Sequence, residues 1–275
     1  MENLWKGFKE HGTFRFTSLL VILLIALVVL APVIAPYNPL EAVMKDANQA
    51  PSMAHLFGTD KLGRDVLSRI LYGGAYSLSS VLALVAIIFC VGTFLGLVAG
   101  YFGGLIDTVI MRIADMMISF PGVILAIAIA GIMGGSLVNA MIALTAVTWT
   151  KYARLSRSMV LKIRKRDFVD AAIVSGGTSS HILWTHIMPN VVPILVITAV
   201  SDIGAMMMEL AGLSFLGFGS QPPAPEWGLM LNEGRQQLQT APWLMVFPGL
   251  AIFISVVIFN LWGDALRDVL DPRDQ

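Results

Sequence analysis

The chain has 275 residues and no net formal charge; 56% of them are hydrophobic and only 13% charged. An ordinary soluble domain carries roughly a quarter charged residues, so too few exist here to coat a water-facing surface, and lipid must solvate much of it. The charge balance argues against a nucleic-acid binder, and the single cysteine, Cys90, lies in an apolar run and cannot form an internal disulfide.

A membrane-spanning helix needs about 20 apolar residues to cross about 30 Å of hydrocarbon. Residues 16–34 qualify without a charge and follow a short N-terminus, 1–15. Val33 and Ala35 would suit a signal cleavage site, but Pro36 follows directly. The apolar core also exceeds the roughly 7–15 residues of a signal peptide, so an uncleaved first helix is expected. Residues 35–77 read as an exterior loop. It holds Pro36, Pro39 and Pro51, then a segment, HLFGTDKLGRDVLSRILYGG, that reads as a turn leading into a short helix. The core, 78–263, opens with a second span over 78–100, inside a charge-free stretch from Ile70 to Ile106. Met116 to Thr150 is charge-free for too long to be one span at about 1.5 Å per residue. The Gly134-Gly135-Ser136 break divides it into a third helix over 105–133 and a fourth over 137–152. A fifth follows over 191–213. A second exterior loop, 214–242, is stiffened by Pro222, Pro223 and Pro225. A sixth span over 243–262 and a tail, 264–275, complete an all-α integral membrane protein of six helices.

Lys and Arg counted in the loops set the orientation. Lys151, Arg154, Arg157, Lys162, Arg164, Lys165 and Arg166 follow the fourth helix; Lys6, Lys9 and Arg15 precede the first; Arg267 and Arg273 follow the sixth. Six spans place these regions, and both termini, on one side, the cytoplasm. The basic run read alone is no more than an orientation signal.

The longest loop on that side, 166–190, carries the most specific pattern. An acidic residue and two alanines, Asp170-Ala171-Ala172, are followed after three residues by Gly176-Gly177, and Pro189 stands thirteen positions beyond Gly176. Asp170-Ala171-Ala172 can open a short amphipathic helix whose small residues allow a close approach, and the glycines permit a sharp reversal. A second short helix then ends at Pro189, giving a two-helix knob. Taken alone, such a segment could also be a simple interfacial helix-turn-helix.

This loop resembles the EAA coupling loop of ATP-binding-cassette (ABC) type I importer permeases, with Asp170 for the usual Glu, His186 for an apolar residue and Met188 for Leu. Phe57-Gly58-Thr59-Asp60-x-Leu62-Gly63-Arg64-Asp65 and Ala211-Gly212-Leu213-Ser214-Phe215-Leu216-Gly217 are similar to the second permease of dipeptide, oligopeptide and nickel importers. So are Pro225-Glu226-Trp227-Gly228 and the ending from Asn260 to Arg273. The resemblance implies a bacterial inner-membrane transport subunit, not an enzyme, which moves nickel, a nickel chelate or di- or oligopeptides inward. Its implied partners are a second homologous permease, two ABC ATPase subunits and an external substrate-binding protein. ATP and its magnesium ion would be bound by those ATPases, and no cofactor by this chain. Under it, Asp170, Ala171, Ala172, Gly176, Gly177, His186 and Pro189 form the ATPase-coupling surface.

No Gly-Lys dipeptide occurs, so a P-loop is absent. His181 and His186, five apart without HExxH spacing, argue against a zinc site and suit polar members of the knob; no catalytic set emerges. Gly96-x-x-x-Gly100 suits close helix packing. Arg112 and Asp115, three apart, are expected to pair with each other. Asp202 and Glu209, seven apart on one helical face with Met206 between them, show no local partner; they either line a pathway or meet another subunit. A stand-alone secondary transporter or channel, with those two acids coupling ions, is the main rival. An intramembrane enzyme would need paired catalytic residues that are not evident.

Overall fold

The structure, a computed structural model, describes residues 11–270, so the readings placed on Lys6, Lys9 and Arg273 lie outside the described residues. Besides the one-turn helix Ala31–Ile34, ten α-helices organise the described residues: α1 Gly12–Val29, α2 Val66–Phe102, α3 Gly104–Ile118, α4 Gly122–Met133, α5 Leu137–Ile163, α6 Asp167–Val174, α7 Ser179–Ile182, α8 Met188–Phe215, α9 Trp227–Gly234 and α10 Trp243–Leu270. No strand occurs among the described residues; their one bridge joins Thr59 and Asp65.

Among the described residues, four helices are long and apolar enough to span a membrane: α1, α2, the continuous run 179–215, and α10. A fifth is added if α3 and α4, bent by 93° at their junction, count as one span. The expected third helix over 105–133 is therefore not continuous. Pro121 supplies the reason: it has no N–H to give and forces the preceding residue out of helical geometry. The expected fourth span lies within α5, which does not stop at 152 but carries the basic run onward to Ile163. Val66 likewise begins a 37-residue helix, so the segment expected to form a separate short helix is the first three turns of α2. Outward-facing side chains agree with a lipid solvent: along α1, Phe16, Leu19, Ile22 and Leu23 all stand exposed.

The chain divides into two compact units, one of residues 1–83, 129–142 and 200–275, the other of 84–128 and 143–199. In the first, α1 packs on α10 through Phe14, Ala265, Leu266 and Val269, and the Trp262 indole N–H donates to Ser18 Oγ at 3.1 Å. In the second, α2 lies against α5 through glycines one turn apart. A Cβ at Gly96 would sit 2.3 Å from the Ala153 carbonyl oxygen, and one at Gly92 2.5 Å from that of Trp149. Only glycine lets the backbones meet so closely, so the Gly96–Gly100 spacing serves helix packing.

Candidate functional site

The loop expected to couple to a partner is built with little slack. Arg164, Lys165 and Arg166 alone separate α5 from α6. The Arg164 guanidinium donates to the Tyr101 carbonyl at 2.8 Å and lies 5.6 Å from the centre of the Tyr101 ring. α6 opens at Asp167, three residues earlier than the alanine pair suggested, and roots itself through the buried Val169. Asp167 and Asp170 occupy its first turn, where negative charge suits the helix dipole. The reversal follows as expected: Gly176 adopts φ +83°, a left-handed geometry that side chains resist. The Gly177 N–H closes the turn on the Ala172 carbonyl at 3.0 Å. The Thr178 side chain then caps α7 by accepting from the His181 N–H.

Pro189 does not end a short helix, as the sequence suggested. α7 passes through a turn of π-helix, Leu183–Ile187, directly into α8. The Met188 N–H reaches back five residues to the Leu183 carbonyl. The widened turn accommodates a proline ring that would clash with the carbonyl four residues before it in an ordinary α-helix. The Asn190 side chain donates to the His186 carbonyl at 2.7 Å. Ile182, Leu183 and Ile187 are buried beneath this segment.

Four large apolar side chains stay outside, among exposed polar ones. Phe168, Ile173 and Trp184 are about half exposed, and Val174 is 88% exposed. Asp170, Ala171, Gly176 and Pro189 are also exposed, whereas Ala172, Gly177 and His186 are half-buried. The structure thus gathers the predicted coupling residues on one helix-turn-helix knob. It also adds Phe168, Ile173, Val174 and Trp184, whose hydrophobicity reads from sequence as core.

The basic run does more than mark an orientation. Arg157 makes a forked contact with Asp107 of α3 through Nε and Nη2. Arg154 donates to Asp115, which corrects the expected Arg112–Asp115 pair: Asp115 is taken by a residue 39 positions away. On α8, Met206 is buried, while Asp202 and Glu209 are half-buried. Neither acid is without a partner, contrary to the local reading.

A second polar cluster, in the other unit, escaped the sequence reading altogether. Asp60 accepts from Arg64 Nε at 2.6 Å and from Arg69 Nη1; Glu233 of α9 accepts from Arg69 Nη2 at 2.8 Å and Arg64 Nη2 at 3.2 Å. Arg69 is 1% exposed. Close by, Glu226 caps α9, accepting from the Gly228 and Leu229 N–H groups at 2.9 Å each. Burial raises its carboxyl pKa above the ordinary value, and those hydrogen bonds, with those from Ser214 and Ser77, pull it back. His55 Nδ1 meets Asp65 Oδ1 at 3.0 Å. These contacts fasten the segment before α2 to α9 and account for the Thr59–Asp65 and Pro225–Gly228 motifs as architecture.

Among the described residues no group of three or more His, Cys, Asp or Glu is placed to hold a metal ion.

Residues 92–273 match the family of binding-protein-dependent transport system inner membrane components, and residues 1–51 match the N-terminal membrane domain of oligopeptide transport permease C. The chain is 42% identical to the glutathione transport system permease protein of Pectobacterium atrosepticum, over 98% of this chain and 90% of that protein. It is 42% identical to the dipeptide transport system permease protein of Alkalihalophilus pseudofirmus, over 98% and 88%. It is 43% identical to the nickel transport system permease protein of Escherichia coli K12, over 94% and 95%. A solved structure of the inward-facing MetNI methionine ABC transporter shares the fold, with TM-score 0.52 and 19% identity, over 72% of this chain and 96% of that one. The chain belongs to the binding-protein-dependent transport system inner membrane component family. It is an ABC importer permease of the peptide, nickel and glutathione group, a multi-pass membrane subunit and not itself an enzyme.

Proposed function

We propose that this permease uses residues 166–190 to dock a cytoplasmic ATPase, and pairs with a second homologous permease to form an inward path for nickel, a nickel chelate or di- or oligopeptides. An external binding protein delivers the solute, and both termini lie in the cytoplasm. The six spans are then α1, α2, the bent pair α3–α4, α5, α8 and α10. The observation that carries the docking reading is the knob itself: an ordered helix-turn-helix loop presents Val174, Phe168, Ile173 and Trp184 outward. Exposed apolar patches mark protein or membrane contacts, and on a loop of this form we read a protein partner. The relatives named for glutathione, dipeptide and nickel transport stand within one percentage point of identity of each other, so identity supports the solute class and not a single member. The path-or-interface role of Asp202, Met206 and Glu209 belongs to the same proposal.

Docking is tested by producing the chain with its ATPases and measuring their recovery with it. Burying one valine side chain stabilises by about 1.5–3 kcal/mol, so Val174→Asp should weaken ATPase association at least about tenfold while the chain stays inserted. A Cβ at Gly176 meets nothing within 4 Å. Gly176→Trp therefore meets no neighbour, but at φ +83° it strains the reversal as well as obstructing the partner, so Val174→Asp is the cleaner of the two variants. Normal ATPase recovery with both variants would remove the docking assignment. Uptake of nickel and of a dipeptide into the same vesicles identifies the solute.

A further inference from the structure

The rings of His181 and His186 have centroids 5.7 Å apart at an interplanar angle of 84°. On an uninterrupted α-helix, residues five apart point about 140° away from each other at 3.6 residues per turn, and these two rings would not meet. The π-helical turn over Leu183–Ile187 lies between them, and its hydrogen bonds span five residues instead of four. Residues five apart then fall near one face, so His186 rotates toward His181. The pair is a consequence of backbone register that residue spacing alone argues against.

The rings are also accessible. His181 is exposed and His186 half-buried. Nδ1 of His181 lies 3.4 Å from the Thr185 hydroxyl, which orients that ring and leaves its Nε2 for another partner. We propose that His181 and His186 form a two-imidazole chelate for a divalent first-row transition ion on the surface of the knob. Neutral imidazole binds copper, nickel and zinc through the ring nitrogen lone pair, with zinc–nitrogen bonds of about 2.0–2.1 Å. Two such bonds, each extended by the distance from nitrogen to ring centre, reach across the 5.7 Å between the ring centres, and a rotation of the exposed His181 side chain out of the present edge-to-face arrangement aims both lone pairs at one ion. With two protein ligands, water fills the remaining positions, and the affinity order places Cu²⁺ above Ni²⁺ and Zn²⁺. The ion would sit on the knob and not along the path of a transported solute. The chelate does not rest on the docking reading, although an ATPase seated on the knob would cover it.

The test uses the full chain, purified without a histidine tag in lipid nanodiscs, and titrated with CuCl₂ and with NiCl₂. Trp184 lies between the two histidines in sequence, so Cu²⁺ quenching of tryptophan fluorescence reports occupancy, and calorimetry with NiCl₂ gives stoichiometry. One ion per chain is expected. His181→Ala and His186→Ala should each weaken binding by at least about tenfold, or about 1.4 kcal/mol, with unchanged thermal stability. His11→Ala and His55→Ala should bind as the unaltered chain does. If either His181→Ala or His186→Ala retains full affinity, or the double variant still takes up one ion, the chelate is overturned.

Discussion

Replacing Arg69 by Met removes one cation from a buried set of two arginines and two carboxylates. Arg69 bonds both Asp60 and Glu233, and Arg64, bonded to the same two acids, is left to serve both alone. One negative charge is then uncompensated in a site where Arg69 was 1% exposed. Breaking a buried pair in this way costs about 3–5 kcal/mol, whereas an exposed pair would cost about 0–1 kcal/mol, so burial decides the size of the effect. Met occupies much of the same volume, which keeps a cavity from confusing the result. Removing an acid together with the arginine restores neutrality. Arg69→Met with Glu233→Met should therefore be more stable than the sum of the single changes predicts, by about 1–3 kcal/mol. Arg69→Lys should be intermediate, since one ammonium cannot reproduce a fork that reaches two carboxylates. Denaturation in mixed micelles followed by tryptophan fluorescence reads this region directly. The Trp227 indole donates to the Ile70 carbonyl and the Trp243 indole to that of Thr59. A loss below about 1 kcal/mol for Arg69→Met, or strict additivity in the double variant, would refute the argument.

Two further outcomes are expected. Asp202→Asn and Glu209→Gln should leave ATPase recovery intact and lower uptake if these acids line the path; if they pair with a second permease, the heterodimer should fail to accumulate, because neutralising one acid strands its partner's charge. Both assembly and uptake at normal levels would remove the two roles together. After Cys90→Ser, a cysteine replacing Met53, which is 95% exposed, should react with an impermeant thiol reagent in intact cells, and one replacing Thr178 should not. Labelling at Thr178 from outside would invert the orientation.

The helical class, the reversal at Gly176 and the membrane solvent were legible because each rests on local chemistry: apolar run length, glycine's access to positive φ, and a shortage of charge. What failed was non-local or depended on register. Pro121 marked the α3–α4 bend, but its effect was hidden inside a uniformly apolar run where the double glycine at 134–135 looked like the stronger break. Arg112 and Asp115 had suitable helical spacing, yet Asp115 was claimed by Arg154. The Asp60–Arg64–Arg69–Glu233 set joins residues up to 173 positions apart, and no periodicity announces such a pairing. Pro189 was correctly placed as special but assigned the wrong consequence, because a proline near a helix start can be met by a π-turn as well as by a break.

The two exits of the knob make one last outcome calculable. On one side, three residues join α6 to α5, and Arg164 pins that junction to Tyr101. On the other, α7 runs without a break into α8. A partner that displaces the knob must therefore move α5 and α8 with it, since neither junction contains slack. Inserting Gly-Ser-Gly after Lys165 adds a flexible segment with a root-mean-square span of about 9–10 Å for three residues. It also separates Arg164 from α6 without altering any exposed residue of the knob. ATPases should then still be recovered with the chain and still hydrolyse ATP, while uptake driven by that hydrolysis falls. The same insertion in an exposed loop such as residues 50–54 should leave uptake unchanged. If uptake per ATP hydrolysed is normal with slack at 165, the α5 junction transmits no movement, and the coupling must pass through the continuous helix of α7 and α8 alone.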